Sequence, residues 1–322
     1  MSTVPPRDRV PDDPIARALG FCRTRRLFKP GDRVLVACGG GANSVAVLAF
    51  LRLRQHELGL GEIAVAAVDA GGRDDSDAVA DAGRLAREMR AAFFAIGGEG
   101  GSPVRAVREL ATREGYARVA IGHTLDDAVL RVLSHIVRGR SALTLRPLAA
   151  KRRDGVVRPL LSVRDGDAAW IARSAGLEPP GMPPDPDAPR SLGDRLRANV
   201  LPRLRVESPT ADAALVSLAG DIRAISRALE TAAIHDLPAD SGDILVPAVS
   251  RPFVIALVLA RASLARLGIA VSRETPLVSA LAPLLARPHK LQGDVVVGGA
   301  IVISPAAHRG SIRIRRVGRS LA

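Results

Sequence analysis

A run of three glycines between an apolar strand and an apolar helix constrains this chain more than any other feature. The run is Gly39-Gly40-Gly41; VLVAC precedes it, and Asn43 and Ser44 lead from it into VAVLAFL. Glycines allow a sharp turn and bring backbone N–H groups close to a ligand, and a helix N-terminus adds partial positive charge. The stretch therefore predicts an anion cradle of the phosphate-binding kind at residues 39–44.

Strand-like apolar runs alternate with helical patterns from residue 33 to about residue 175. The predicted strands lie at 33–38, 62–69, 91–97 and 117–122, and the predicted helices at 43–55, 76–90, 103–114 and 126–138. This alternation is typical of βαβ units, and it predicts an α/β fold with a doubly wound parallel sheet. Because ligands bind at the carboxyl ends of such strands, we expect the loops 38–44, 69–76 and 122–127 to meet in one crevice.

A proline-rich segment at 178–190 marks a linker near the end of this region. Helical patterns follow it at about 192–205, 210–235, 250–267 and 273–286, and the tail then changes to the period-two alternation of strands, at 294–303 and 311–317. We predict a nucleotide-binding domain over residues 1–205. A second, mainly helical domain that ends in a small sheet is predicted over residues 206–322.

The charge balance indicates a polyanionic partner. The chain has 46 Lys and Arg residues against 33 Asp and Glu, a net charge of +13, and RNA is the expected partner. A compositional bias toward Ala, Arg and Gly, with Arg scattered over every surface, is the alternative.

The two cysteines form no CxxC pair, which argues against a zinc or iron–sulfur site. No apolar run reaches about 18 residues, so we expect no membrane span and a cytoplasmic protein.

Charged residues follow the fourth predicted strand. His123, Asp126 and Asp127 stand at the start of the next helix, within GHTLDDAVLRVL. Adjacent carboxylates at a helix N-terminus either cap the helix or hold a metal ion or a cationic substrate.

Arg313 and Arg315 share one face of the last predicted strand. They either follow an RNA backbone or protect an edge strand from pairing.

These segments, with Arg158-Pro159-Leu160-Leu161, resemble the tRNA(Ile)-lysidine synthetase family in order and spacing over roughly residues 30–205. That family carries a Ser-Gly-Gly-x-Asp-Ser pyrophosphate loop and a Gly-His-x-x-Asp-Asp-x-x-Glu-Thr helix start. The resemblance implies a pyrophosphate-loop domain that uses ATP and Mg²⁺ to adenylate the wobble cytidine of a tRNA. Lysine, or another small amine, would then displace AMP.

The resemblance also implies roles for individual residues. ATP-binding roles fall on Gly39, Gly40, Gly41, Asn43, Ser44, Asp69 and Arg73. Catalytic roles fall on His123, Asp126 and Asp127, with Asp127 also the expected Mg²⁺ ligand. Arg158, Arg195 and Arg197 would bind nucleotide or RNA phosphates.

Five positions depart from the family pattern: Gly39, Asn43, Ala70, Leu130 and Ala188. Asn43 replaces an acid of the loop, and Leu130 replaces a glutamate that, with the second aspartate, holds the lysine ammonium in the family. Two hypotheses follow. The chain is either an ATP-dependent ligase acting on tRNA, or a non-catalytic relative that keeps nucleotide or tRNA binding.

Overall fold

The computed structural model describes residues 13–39, 41–69, 73–97, 102–177, 191–236, 239–240, 243–247, 253–269, 276–299, 301–305 and 311–317. The chain forms two compact units. The first is drawn from residues up to 134 and from 148–213, and the second from 135–147 and from 214 onward. The domain boundary predicted at 205–206 stays a prediction.

Helices and strands alternate in the first unit as the sequence predicts. Its helices are α1 (Pro14–Thr24), α2 (Ala42–Leu53), α3 (Arg73–Glu88), α4 (Pro103–Arg113), α5 (Leu125–Val137), α6 (Asp165–Ser174), α7 (Leu192–Asn199) and α8 (Leu201–Glu207). Its strands are β1 (Val34–Ala37), β2 (Ile63–Asp69), β3 (Ala92–Gly97), β4 (Arg118–Ile121) and β5 (Val156–Val157). Helix α5 continues into the second unit beyond residue 134.

The five strands of the first unit form one parallel sheet in the order β3-β2-β1-β4-β5. The chain runs from β1 outward to β3 and returns to the other side of β1 as β4. The strand order therefore reverses between β1 and β4, which is where open α/β sheets bind ligands. This confirms the predicted doubly wound sheet.

Alternating side chains of the central strands enter two separate cores. Val34 and Val36 of β1 pack with α2, whereas Leu35 packs with Leu110 of α4 on the opposite face. Strand β1 and most of β2 are buried on both faces, which explains their nearly continuous apolar sequence. Helix α2 is almost wholly apolar because it is buried; Phe50 has no exposed surface.

The second unit combines helices with a five-stranded antiparallel sheet. Its elements are α9 (Ala211–Asp236), β6 (Ala239–Asp240), β7 (Asp243–Pro247), α10 (Phe253–Arg266), α11 (Pro276–Ala286), β8 (Val295–Val297), β9 (Ile301–Pro305) and β10 (Ser311–Arg316), with α9 beginning in the first unit. The strand order is β6-β7-β10-β9-β8. The small sheet predicted at the C-terminal end is confirmed.

The structure corrects several predicted elements. The single strand predicted at 294–303 is a hairpin, because Gly298 and Gly299 adopt φ of 57° and 65° and reverse the chain. The helix predicted at 192–205 is two helices, the second with a proline at its N-terminal end. Strands β5, β6 and β7 and helix α6 have no counterpart among the predicted elements.

Two arginines of β10 form ion pairs. Arg313 lies 3.5 Å from a carboxylate oxygen of Asp243, and Arg315 lies 3.3 Å from one of Asp294. Strand β10 is flanked by β7 and β9, so these arginines do not protect an edge strand. Contact with an RNA backbone stays a prediction.

No helix in the described part of the chain is long and apolar enough to cross a membrane.

Phe50→Ala tests whether the α2 core holds the first unit together. We expect the free energy of unfolding to fall by about 3–5 kcal/mol, because the ring is fully buried and its loss leaves a cavity. Urea unfolding followed by circular dichroism measures the change. Leu53→Ala on the same helix is the control, since Leu53 is 40% exposed. Equal losses in the two variants would contradict the prediction.

Candidate active site

The glycine run forms an open loop between β1 and α2. Gly41 precedes the first turn of α2 in an extended conformation, and no side chain caps this helix end. The Ser44 hydroxyl donates to the Gly41 carbonyl at 2.6 Å. A Cβ atom built on Gly39 or Gly41 would meet nothing within 4 Å, so the space in front of the loop is open. The loop therefore fits an anion held by backbone N–H groups.

A cavity of about 490 Å³ lies at the carboxyl ends of β1 and β4. Residues of the glycine loop, including Asn43 and Ser44, line one part of it, and Gly122, His123 and Asp165 line another. The sequence analysis predicts this meeting of two loops. Asp69 ends β2, the next strand of the sheet. Gly40, Ala70 and Ala188 and the side chain of Arg73 lie outside the described residues.

Gly122 allows β4 to approach the glycine loop. A Cβ atom at this position would lie 2.5 Å from the Asn43 carbonyl oxygen and 2.7 Å from the Ser44 nitrogen. Both neighbours are backbone atoms, so a side chain could fit only if the loop moved. The residues that follow Gly122 are thereby brought against the loop.

His123 is held in one tautomer by a buried arginine. Arg158, which is 6% exposed, donates from Nε to His123 Nδ1 at 3.1 Å and from Nη1 to the Ala149 carbonyl at 2.7 Å. Because Nδ1 accepts, the ring proton of neutral His123 resides on Nε2. Burial lowers the pKa of His123, and the charge of Arg158 lowers it further. The phosphate or RNA contact predicted for Arg158 stays a prediction.

The two adjacent carboxylates of α5 both bind arginine. Asp126 is 5% exposed and accepts from Arg205 Nη2 at 2.6 Å. Asp127 accepts from Arg197 Nη2 at 2.7 Å through one oxygen, and from the Thr124 backbone N–H at 2.9 Å through the other. The second contact caps the N-terminus of α5, which is one of the two roles that the sequence suggested for Asp127. The same side chain also forms an ion pair, with Arg197.

Asp165 is a residue of the site that the sequence analysis missed. It begins α6 and accepts from the Asn43 side-chain amide at 2.9 Å and from the Thr124 hydroxyl at 2.6 Å. Its other oxygen pairs with Arg197. The available signal was an acidic residue closely following the matched Arg-Pro-Leu-Leu segment, at the start of an unrecognised helix.

Arg197 therefore lies between two carboxylates, those of Asp127 and Asp165. A second arginine, Arg205, joins Asp126 to Asp212, whose side chain is 4% exposed. Together these ion pairs attach α7 and α8 to the start of α5. Arg195, on the same helix as Arg197, is exposed.

The donor set does not fit the Mg²⁺ ion predicted at Asp127. Both oxygens of this carboxylate are engaged, one by Arg197 and the other by Thr124. Within the described part of the chain, no three His, Cys, Asp or Glu side chains form a group able to hold a metal. The loop itself, with its open glycines and uncapped helix, fits a phosphate group.

Most of the chain is similar in sequence to known proteins. It is 30% identical over 306 residues to the tRNA(Ile)-lysidine synthase of Nocardia farcinica, covering 90% of this chain and 93% of that protein. The chain belongs to the tRNA(Ile)-lysidine synthase family. The family member from Leifsonia xyli subsp. xyli is also 30% identical, with 85% of this chain and 88% of that one covered. No family model matches the sequence.

The fold of this lysidine synthase relative also occurs in a solved thiolase. The U34-tRNA thiolase NcsA from Methanococcus maripaludis, solved with its [4Fe-4S] cluster, superposes with a TM-score of 0.53 at 16% identity. The match covers 65% of this chain and 77% of NcsA. At this identity the likeness concerns the fold alone.

Leu130 marks the departure from the lysidine synthase pattern most clearly. It lies one helical turn from Asp127 on α5 and is 6% exposed. A leucine there can neither bind a cation nor accept a hydrogen bond. In this chain the charge opposite Asp127 is a guanidinium, and the further carboxylate on that guanidinium comes from Asp165.

Gly122→Ala tests the close approach of β4 to the glycine loop. We expect the free energy of unfolding to fall by about 1–3 kcal/mol, because the new methyl group would overlap backbone atoms. Thermal or urea unfolding measures the loss. Gly20→Ala in α1 is the control, since nothing lies within 4 Å of a Cβ there and alanine favours a helix. A Gly122 variant as stable as the control would refute the argument.

His123→Asn tests the lowered pKa of the buried ring. Between the pKa of folded His123 and the ordinary value of 6.5, the unfolded chain binds more protons than the folded chain. Stability from this group is therefore complete above pH 6.5 and is lost as the pH falls through the lowered pKa. We expect melting temperatures between pH 5 and 7.5 to depend less on pH in His123→Asn than in the wild type. His56→Asn, away from the cavity lining, should keep the wild-type slope.

Proposed function

We propose that this protein binds an adenine nucleotide at the Gly39–Ser44 loop and also binds a tRNA. We further propose that Arg197 occupies the position at Asp127 that other family members give to the ammonium of lysine. The observation that carries this proposal is the placement of Arg197 between Asp127 and Asp165. The protein is then a nucleotide- and tRNA-binding member of the family that does not ligate an amine.

The nucleotide part of the proposal rests on the loop. The uncapped start of α2, the open space before Gly39 and Gly41 and the Ser44 hydroxyl suit the oxygens of a phosphate chain. Neutral His123 has its proton on Nε2 and lines the same cavity, where it can donate to an anion. A bound ATP would supply an activated phosphoanhydride, and these residues would hold its phosphates.

The proposed loss of amine ligation rests on charge. A lysine ammonium at Asp127 would have to displace a guanidinium that is already bound to two carboxylates. Arg197 is tethered to the chain, so its effective concentration at these acids is in the millimolar range or above. Free lysine would compete against that concentration without the glutamate of the family pattern, since position 130 is a leucine. The arginine is therefore favoured.

The tRNA part of the proposal rests on family and charge. The matched relatives are named tRNA(Ile)-lysidine synthases, and this chain carries a net charge of +13. Arginine binds phosphate through two parallel N–H groups, which suits a polynucleotide backbone. Binding of tRNA should therefore weaken steeply as salt concentration rises.

The first experiment measures AMP and pyrophosphate release from Mg²⁺-ATP in the presence of total tRNA and lysine. We expect no lysine-dependent AMP from this protein, while equilibrium dialysis and filter binding detect ATP and tRNA binding. The Nocardia farcinica relative in the same mixture is the positive control. AMP release that requires both tRNA and an amine would establish the ligase instead, and the amine that supports it would be the substrate.

Arg197→Ala tests the blocked amine position directly. The variant leaves Asp127 and Asp165 without their shared cation, so lysine or methylguanidinium should bind and raise its melting temperature. Neither compound should stabilise the wild type, and Arg195→Ala should behave as the wild type because Arg195 is exposed. Thermal unfolding with 1–10 mM ligand, roughly the range of the tethered group, measures the effect. Equal shifts in the wild type and Arg197→Ala would show that Arg197 does not block the acids.

A further inference from the structure

A cluster of arginines in the second unit surrounds one glutamate. Helix α9 places Arg223, Arg227 and Glu230 on one face, because they are four and three residues apart. Arg146, from the segment that follows α5, and Arg261, from α10, reach the same glutamate. We call these five residues the arginine cluster.

The single carboxylate of the cluster is already shared. Glu230 Oε1 lies 3.1 Å from Arg146 Nη2 and 2.7 Å from Arg261 Nε. Arg146 is 8% exposed and also donates to the carbonyls of Leu143 and Leu145, at 2.7 and 3.0 Å. This hydrogen bonding fixes the guanidinium of Arg146 against Glu230. The glutamate is thus shared by two guanidinium groups before Arg223 is considered.

Arg223 adds a partly buried charge without a hydrogen-bond partner. Its Nη1 atom is shielded from solvent and has no partner within the described part of the chain. Burial lowers the pKa of Arg223, Glu230 opposes this change, and the charges of Arg227 and Arg261 lower the pKa further. A shielded guanidinium donor of this kind is costly unless an acceptor reaches it.

We infer that the arginine cluster is a phosphate-binding site, with Arg223, Arg227 and Arg261 as its donors and Glu230 as the group that orients Arg261. A phosphate offers several oxygens to guanidinium groups, and one of them would supply an acceptor for the shielded Nη1 atom of Arg223. None of the cluster residues belongs to the glycine loop or its cavity. The phosphate would come from a tRNA backbone, which rests on the proposed function, or from a small phosphorylated molecule.

The first test compares tRNA binding by the full-length wild type, Arg223→Gln and Arg105→Gln. Each variant removes one positive charge, but Arg105 on α4 is exposed and paired with Glu109. For a tRNA source, Arg223→Gln should reduce the slope of log affinity against log salt by about one, between 50 and 200 mM. Arg105→Gln should keep the wild-type slope.

The second test uses inorganic phosphate as the probe and the melting temperature as the readout. Phosphate should stabilise the wild type and Arg105→Gln more than Arg223→Gln. Glu230→Gln, if folded, should be stabilised at lower phosphate concentration, because the competing carboxylate is gone; a purely structural cluster would not show that gain. A phosphate effect that depends on Arg223, with an unchanged tRNA slope, indicates a small phosphorylated ligand.

The two tests separate failure of this site from failure of the proposed function. If the wild type binds no tRNA, the proposed RNA partner is wrong, and the phosphate arm alone decides whether the site exists. If Arg223→Gln changes neither the tRNA slope nor the response to phosphate, the cluster is not a phosphate site.

Discussion

The contact between the end of β4 and the glycine loop is the constraint on which the rest of the site depends. The strand order reverses between β1 and β4, and the loops that follow these two strands can meet only if one backbone leaves room for the other. Gly122 supplies that room against Asn43. His123, Thr124 and Asp127 follow within five residues, so their positions at the cavity derive from this single approach.

Around that contact, the site compensates its charges internally. Asp126, Asp127 and Asp165 each bind an arginine from α7 or α8. Breaking such partly buried pairs costs more than the pairs contribute, because each removal leaves a charge uncompensated. The helices that follow the proline-rich segment are therefore held to α5 and α6 by ion pairs, and each of these three acids already has a cationic partner.

The sheet and the glycine loop could be predicted because both have local signals. The strands are apolar runs between turns, and the loop is a glycine run between a strand and a helix. The ion pairs had no such signal: Arg197 and Asp127 are 70 residues apart, and their meeting depends on how α7 packs. The burial of Arg158 beside His123 likewise had no local signal, because it depends on the packing of segments distant in the chain. Asp165 was missed because the helix that it begins has only a weak amphipathic pattern.

The hydrogen bond between Asn43 and Asp165 makes the two positions depend on each other. An aspartate at position 43, as in the family pattern, would place its carboxylate against that of Asp165, where the amide now donates at 2.9 Å. An acid at position 43 alone would set two negative charges in contact, and removing Asp165 alone would leave Asn43, Thr124 and Arg197 without their acceptor. The effect of changing either residue therefore depends on which residue stands at the other position, so the two substitutions are epistatic.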